Sequence, residues 1–266
     1  MSVIQIKDLH FSYTEGEEVL KGLTFHLDER STAMIGQNGA GKTTFSKLLK
    51  GLLKPTLGEI LLNGNDTGGM TAALLAKHIG MVFQNPNDQI FKYNVLDEVM
   101  FGPLQIGMDQ ETARRNAMEA LELTGITGME QVNPYDLGLS LRKLVAIASI
   151  LSMDTETVIF DEPTIAQDYA GKERIKGIIR RLRSQGKTVI TITHDMNFVA
   201  DVFERAIVLS GGRMLFDDAT SAVFAQKEVL EEACLEQPDV MKLCNELGFR
   251  ESCLTVDDFM RIKGLF

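Results

Sequence analysis

The sequence predicts an α/β fold built on a mainly parallel sheet. Short apolar runs of strand length alternate with longer segments of helical periodicity. The predicted parallel strands lie at residues 31–35, 79–83, 157–160 and 188–193, and helices are predicted at 43–53 and 170–184. This alternation is typical of parallel strands joined by crossover helices.

The outer segments add strands of another kind. Residues 4–13 and 19–27 have strand patterns and flank a short polar turn. A further strand at 59–62 enters a tight turn, and Gly211 and Gly212 separate two apolar runs in a hairpin pattern.

Two regions are predicted to be mostly helical. The first covers about residues 94–152, where 109–124 is the clearest amphipathic stretch. The second is the tail, where Thr255 is a plausible N-cap and Asp258 occupies the capping-box position. The predicted helices of the tail lie at 229–235, 240–247 and 255–263.

Length and composition fit a large domain with a small addition. The chain has 266 residues, of which 44% are apolar and 24% charged, as in an ordinary globular protein with a core. We therefore expect a main domain over residues 1–225 and a small C-terminal helical domain over 226–266.

Charge and hydropathy disfavour several classes of protein. The formal net charge of -10 makes general nucleic-acid binding improbable. The sequence lacks an apolar run near the roughly 18–20 residues that span a bilayer, and residues 1–10 lack a signal-peptide pattern. We expect a cytosolic protein whose membrane role depends on a partner. Cys234, Cys244 and Cys253 lack CxxC spacing and predict packed, reduced thiols.

A glycine-rich loop between the first parallel strand and the next helix carries the strongest motif. Residues 36–43 match GxxxxGK[ST], ending in Gly41, Lys42 and Thr43. Glycines let the backbone N–H groups surround a phosphate, and the helix N-terminus adds partial positive charge. Lys42 would neutralise the β- and γ-phosphates of ATP, and the Thr43 hydroxyl would bind Mg²⁺. The alternative is a glycine turn without a ligand.

Two adjacent carboxylates end a second buried strand. The apolar residues 158–160 lead into Asp161 and Glu162, at the edge of the sheet where ligands bind in such folds. Asp161 would hold the Mg²⁺ sphere, and Glu162 would polarise the attacking water as general base. The alternative is a pair of surface acids.

Two further polar side chains follow strand ends. His194 comes after the strand at 188–193 and could sense the γ-phosphate, although a lone histidine is more often structural. Gln84 ends the strand at 79–83 and could reach Mg²⁺ or the water.

In this order, the elements resemble the ATPase subunit of an ABC transporter over about residues 1–220. The resemblance implies a P-loop NTPase (RecA-like) core with an N-terminal antiparallel β subdomain and an α-helical signature subdomain at about 94–152. It also implies ATP and Mg²⁺ as cofactors, with Thr43, Gln84 and Asp161 at the metal. The implied ATP-contacting residues are Tyr13 (stacked on adenine), Gly36, Asn38, Gly39, Ala40, Gly41, Lys42, Thr43, Thr44, Asp161, Asp168 (D-loop), Gly138 and Ser140, and the implied catalytic residues are Glu162, His194 and Gln84.

A narrower resemblance concerns residues 83–91, FQNPNDQIF, and Phe101-Gly102-Pro103, which are similar to the cobalt-type, energy-coupling-factor branch of importers. That branch implies import of vitamins or transition-metal ions. It implies as partners a second ATPase subunit, a transmembrane coupling subunit and a substrate-binding membrane subunit. The chain would lie at the cytoplasmic face of the membrane, with 84–91 facing the coupling subunit and 226–266 helping the ATPases to pair. The alternative for Phe91 is ordinary core.

The sequence departs from the family pattern at its signature, usually LSGGQ. The corresponding segment is 137–141, where Gly138 replaces serine, Leu139 replaces glycine and Ser140 occupies a glycine position. Gln167 also precedes Asp168 where leucine is common. We hypothesise an unequal pair, tending to a heterodimer, in which this signature forms the weaker site. In the alternative, Ser140 compensates.

Two other functions stay open. One is a soluble non-transport ABC ATPase of DNA repair or translation, although coiled-coil insertions, zinc modules and tandem ATPase halves are not evident in the sequence. The other is a largely regulatory nucleotide-binding subunit, which the altered signature favours and the intact Lys42, Glu162 and His194 oppose.

Overall fold

The computed structural model describes residues 4–249 and 253–262. The strands of these residues are β1 Ile4–Ser12, β2 Glu18–Leu27, β3 Thr32–Ile35, β4 Leu57–Leu62, β5 Asn65–Asp66, β6 Ile79–Val82, β7 Thr157–Asp161, β8 Thr188–Ile192, β9 Arg205–Ser210 and β10 Arg213–Ala219. The helices are α1 Lys42–Leu49, α2 Ala72–Leu75, α3 Val95–Gln105, α4 Gln110–Thr124, α5 Leu139–Leu151, α6 Tyr169–Ser184, α7 Met196–Val202, α8 Thr220–Ala225, α9 Lys227–Glu232, α10 Asp239–Glu246 and α11 Val256–Ile262.

The larger sheet confirms the predicted parallel core. Its strand order is β10-β9-β3-β8-β7-β6, and the strands from β9 to β6 run parallel, with β10 antiparallel at the edge. Every residue of β7 and β8 is buried, and apart from Asp161 these residues are apolar or β-branched, as expected for strands that are covered on both faces. The carboxyl ends of β3, β6, β7 and β8 therefore meet at one edge.

The smaller sheet confirms the predicted outer strands. It has the order β2-β1-β4-β5, and all of its pairings are antiparallel. Its apolar face packs with α1 against the larger sheet, so that Ile159 of β7 lies in this core. Val158 and Phe160 point to the opposite face, into the core that the other helices cover.

The helical segment at 94–152 is confirmed as α3, α4 and α5, which pack on one another in the larger core. Asp109 caps α4 by accepting from the Thr112 backbone N–H at 2.9 Å, and Gly125 ends the helix with a φ of 67°. Helix α5 is the most deeply buried of the three, because residues 143–149 are all buried.

One predicted helix was too long. The expected helix at 43–53 ends at Leu49, because Gly51 adopts a left-handed φ of 66° and breaks the helical path. Leu52, which the expected helix would have included, is consequently 52% exposed.

The tail contacts the main core. Leu230, Ala233 and Met241 belong to the larger apolar cluster, so α9 and the first turn of α10 are packed into the protein. The capping box at α11 is confirmed, since the Thr255 backbone N–H donates to Asp258 Oδ2 at 3.1 Å and the Asp258 N–H donates to Thr255 Oγ1 at 3.2 Å. Lys263, the predicted end of this helix, lies outside the described residues. Among the described helices, none has the length and apolar character needed to cross a membrane.

Candidate functional site

The glycine-rich loop joins β3 to α1 through backbone that only small residues allow. A Cβ on Gly36 would lie 2.2 Å from the Leu209 carbonyl oxygen, and one on Gly41 would lie 2.5 Å from the Leu20 side chain. Gly41 has a φ of 99° and precedes α1 without a side-chain cap. The first backbone N–H groups of α1 are therefore available to an anion at this end of the helix.

Lys42 lies inside this loop as a buried cation. It is 7% exposed, and its Nζ donates to the carbonyl oxygens of Gly36 at 2.6 Å and Gln37 at 2.9 Å. Burial lowers the pKa of Lys42, and the nearby Glu162 and Asp161 carboxylates oppose this effect. An ammonium group with neutral oxygen partners is well placed to accept a phosphate as its counter-ion.

Asp161 ends β7 with 4% of its surface exposed. Burial and then the charge of Glu162 raise the pKa of Asp161 to about 6, although Lys143 and Lys42 act in the opposite direction. A buried carboxylate of this kind is stabilised by a divalent cation, which removes the penalty of its negative charge.

Glu162 is held by two neighbours at the end of β8. Thr193 Oγ1 donates to Glu162 Oε2 at 3.2 Å, and His194 Nδ1 lies 2.8 Å from Glu162 Oε1. The Glu162 backbone has a left-handed φ of 45° and its N–H donates to the Ile192 carbonyl at 2.8 Å. These contacts fix a carboxylate that faces the phosphate loop, as a general base requires.

A cleft of about 280 Å³ brings most of the predicted site residues together. It is lined by Val19, Asn38, Gly39, Gly41, Lys42, Thr43, Thr44, Gln84, Asp161, Glu162, Ile192 and His194. The glycines and the uncapped helix fit a polyphosphate, and the hydroxyl, amide and carboxylate oxygens of Thr43, Gln84 and Asp161 fit Mg²⁺.

Tyr13, Gly36 and Ala40 lie beside this cleft and are not part of its lining. The Tyr13 hydroxyl is 3.3 Å from Thr44 Oγ1, and its ring, 57% exposed, packs edge-on against Phe11 at 4.8 Å. The ring therefore stands next to α1 with a face open to solvent. Its role at adenine stays a prediction.

Asp168 and Gly138 also lie away from the cleft lining. Asp168 caps α6, accepting from the Gly171 N–H at 2.7 Å. Gly138 precedes α5 without a side-chain cap, and the following Leu139 is 46% exposed. The signature segment thus presents an uncapped helix end to solvent beside a bulky apolar side chain.

Ser140 is engaged inside the chain. Its Oγ donates to Gln167 Oε1 at 3.0 Å, and Gln167 Nε2 donates back to the Ser140 carbonyl at 3.4 Å. Two of the four residues that depart from the family pattern are therefore hydrogen-bonded to each other. This contact weakens the alternative in which the Ser140 hydroxyl replaces the missing serine at 138.

Sequence reasoning missed Lys143 and Thr193. Lys143 is 1% exposed, and its Nζ donates to the carbonyls of Phe83 at 2.9 Å and Gln84 at 2.7 Å. Burial lowers the pKa of Lys143 to about 8, and Asp161 and Glu162 oppose that shift. The signal that could have revealed it is its position directly before the apolar run of α5, where a side chain is expected to be buried. A lysine is almost never fully buried without partners, so a polar contact could have been expected there.

Comparisons with known proteins agree with this geometry. The ABC transporter family profile matches residues 20–165. The chain is 36% identical over 255 residues to the energy-coupling factor transporter ATP-binding protein EcfA of Methanocaldococcus jannaschii, covering 95% of this chain and 91% of that protein.

Two solved structures are similar throughout most of the fold. The first is cbiO1 from Clostridium perfringens, described as part of the ABC transporter complex cbiONQ, with a TM-score of 0.77, 30% identity and coverage of 91% of this chain and 98% of that one. The second is the ATP-binding cassette MJ0796, a dimer in a post-hydrolysis state bound to ADP and Pi, with a TM-score of 0.74, 27% identity and coverage of 82% and 98%. With its phosphate loop, paired carboxylates and these relatives, the chain belongs to the ATP-binding subunits of the ABC transporter family and is an ATPase.

Proposed function

We propose that this ATPase energises an energy-coupling-factor importer of a vitamin or a transition-metal ion, from the cytoplasmic face of the membrane. Its likeness to a protein named EcfA and to cbiO1 supports this branch. In the proposed assembly it binds a second ATPase subunit, a transmembrane coupling subunit and a substrate-binding membrane subunit.

An exposed aromatic group carries the proposal. Phe91 is 50% exposed and packs edge-on against Phe101 at 4.7 Å, so the alternative of an ordinary core position is wrong. Tyr93, two residues further, is 83% exposed. Aromatic side chains held at a surface in this way are typical of protein interfaces. We assign them to the contact with the membrane coupling subunit.

In the proposed chemistry, Lys42 and the loop N–H groups hold the ATP phosphates, and Thr43, Gln84 and Asp161 hold Mg²⁺. Mg²⁺, when bound there, would supply charge neutralisation for the phosphates. Glu162 accepts a proton from the attacking water, since Thr193 and His194 fix its carboxylate.

We also propose that the signature segment works on a site in the second subunit. Leu139 places a bulky side chain where the family signature has glycine, and the Ser140 hydroxyl is hydrogen-bonded to Gln167. The pair of sites would therefore be unequal, which favours a heterodimer over a homodimer.

The experiment is a pull-down from detergent-extracted membranes of the source organism, with the full chain carrying an affinity tag. Wild type should retain integral membrane proteins, and Phe91→Ala should retain at least about tenfold less, because an interface anchor is worth more than about 1.4 kcal/mol. Leu57→Ala is the control, since Leu57 is 59% exposed and lies on β4 in the smaller sheet, whereas Phe91 follows β6 of the larger sheet.

Other outcomes would identify other functions. Ribosomes or nucleic acid in place of membrane proteins would support the non-transport alternative and contradict the importer. Equal retention by Phe91→Ala and Leu57→Ala would remove Phe91 from the interface.

A further inference from the structure

The side chain of Lys143, on helix α5, contacts the backbone of Gln84 at the nucleotide cleft. We infer that Lys143 is a positioning residue, which fixes the backbone of Gln84 and so directs the Gln84 side chain toward Asp161. The inference rests on the proposed Mg²⁺–ATP site and adds to it a residue that does not line the cleft.

Lys143 contacts the chain just after β6, where the hydrogen-bonded ladder to β7 has ended. The ladder between β6 and β7 ends with the pair Val82 and Phe160, so Phe83 and Gln84 lie beyond it. Lys143 Nζ donates to the carbonyl oxygens of both residues, at 2.9 Å and 2.7 Å. The ammonium group therefore replaces the missing strand as the donor for this segment.

Gln89 completes the attachment to α5. Its Oε1 accepts from the Phe83 N–H at 3.0 Å, and its Nε2 donates to the Ala146 carbonyl at 2.8 Å. The Phe83 N–H and carbonyl are thus both hydrogen-bonded. Lys143 belongs to α5, and Gln89 is itself hydrogen-bonded to α5. Gln84, in contrast, is held in the described structure through its carbonyl, and it is exposed at the cleft. Its orientation depends on Lys143 more directly than that of Phe83 does.

The charge of Lys143 also belongs to the site. A buried ammonium group is costly unless opposite charges are close, and the carboxylates of Asp161 and Glu162 are the ones that act on it. The same lysine therefore contacts the backbone of one proposed metal ligand, Gln84, and interacts electrostatically with another, Asp161. A side chain that served only to fill space around α5 would need neither the hydrogen bond to Gln84 nor the interaction with Asp161.

Lys50, at the end of α1, provides a matched control because it contacts the opposite end of the same strand, β6. Its Nζ donates to the Ile79 carbonyl at 2.6 Å, at the amino end of β6, and burial alone lowers its pKa to about 8. Lys50 therefore makes a similar lysine–carbonyl contact at the amino end of β6, away from Gln84. The Asp161 and Glu162 carboxylates, which act on Lys143, do not contribute to its pKa shift.

The first experiment is a double-mutant cycle on the full-length chain, purified with the proteins that it binds. Lys143→Met should lower kcat of ATP hydrolysis about tenfold and change KM for ATP less than about twofold, because Lys42 still holds the phosphates. Gln84→Ala should lower kcat similarly. The double variant should be no slower than Gln84→Ala alone, because Lys143 acts through Gln84. In contrast, any loss of kcat caused by Lys50→Met should be independent of Gln84. The Lys50→Met/Gln84→Ala double variant should therefore lose the product of the two single-variant factors.

The second experiment needs no nucleotide. Hydrogen–deuterium exchange of the full chain should become at least about tenfold faster in residues 83–91 for Lys143→Met, and stay unchanged there for Lys50→Met. Lys143→Gln should recover part of the protection and of kcat, because its amide still donates to a carbonyl. If the methionine variant fails to fold, Lys143→Gln is compared with Lys50→Gln instead, and a smaller loss that is still confined to Lys143→Gln is expected.

The inference is wrong if Lys143→Met matches Lys50→Met in exchange and in kcat, or if its loss multiplies in full with that of Gln84→Ala. Neither result depends on transport. An ATPase that retains no membrane protein would contradict the proposed importer and leave the Lys143 comparison intact.

Discussion

Asp161 shows how burial at one residue makes stability depend on pH. Its pKa is raised from 3.8 in a model peptide to about 6 in the folded chain. The folded state therefore binds a proton more tightly than the unfolded state does. The stabilisation from the protonated carboxyl is complete below about pH 4 and is lost as the pH rises through about 6.

The prediction compares wild type with Asp161→Asn without nucleotide or Mg²⁺. Relative to the variant, wild type should lose about 2 kcal/mol of unfolding free energy between about pH 4 and pH 7. Urea denaturation at a series of pH values measures the difference, and effects of other titrating groups largely cancel between the two chains. A difference that is constant with pH would show that Asp161 has an ordinary pKa.

Residues differed in how far sequence alone could identify them. Lys42, Asp161, Glu162 and His194 could be predicted because each follows a strand whose apolar pattern is clear, and parallel strands bring their carboxyl ends together. Lys143 could not, because its partners are backbone carbonyls of residues far away in the chain. Carbonyl groups have no sequence signature.

At the scale of the element, α5 is where the family pattern and this chain differ. The helix itself was predictable from its apolar run. The hydrogen bond from Ser140, in the first turn of α5, to Gln167, just before α6, joins residues far apart in the sequence and required coordinates. The end of α1 was missed for a local reason, since Gly51 stops a helix that Leu52 would otherwise have continued.

We expect the altered start of α5 to limit turnover. Gly138→Ser together with Ser140→Gly should raise ATP turnover of the chain mixed with the proposed second ATPase subunit. The gain should reach up to roughly 10²-fold, because a hydroxyl donor toward the phosphate is restored. Ser140→Gly alone is the control, since it removes the bond to Gln167 without adding a hydroxyl at 138. A double variant that is no faster than wild type would count against impairment at this loop.

At the scale of the whole molecule, two apolar cores lie on opposite faces of the larger sheet. Sequence patterns predicted the sheet, the outer strands and the helical segment. They could not predict how the tail packs, because short amphipathic helices can bury their apolar face against many surfaces. The division into 1–225 and 226–266 stays a prediction, and Leu230 and Ala233 link the two parts through the larger core.

Packing of the tail can be tested by stability. Leu230→Ala should lower the unfolding free energy by about 2–5 kcal/mol, because Leu230 is 1% exposed within the larger core. Leu243→Ala should change it by less than about 0.5 kcal/mol, since Leu243 is 45% exposed on α10. Urea unfolding followed by circular dichroism measures both. A separate tail transition in Leu230→Ala, with the main transition unchanged, would favour an independent C-terminal domain.

Glu162 carries a consequence for how this protein can change over time. Its left-handed backbone, with a φ of 45°, is a conformation that glycine adopts more easily, and its carboxylate lies beside that of Asp161. Replacing it by glycine would relieve both the backbone strain and the charge repulsion, while removing the proposed general base. Selection for a longer-lived fold and selection for turnover thus act on this position in opposite directions. A lineage released from the need for turnover would be expected to lose Glu162 early.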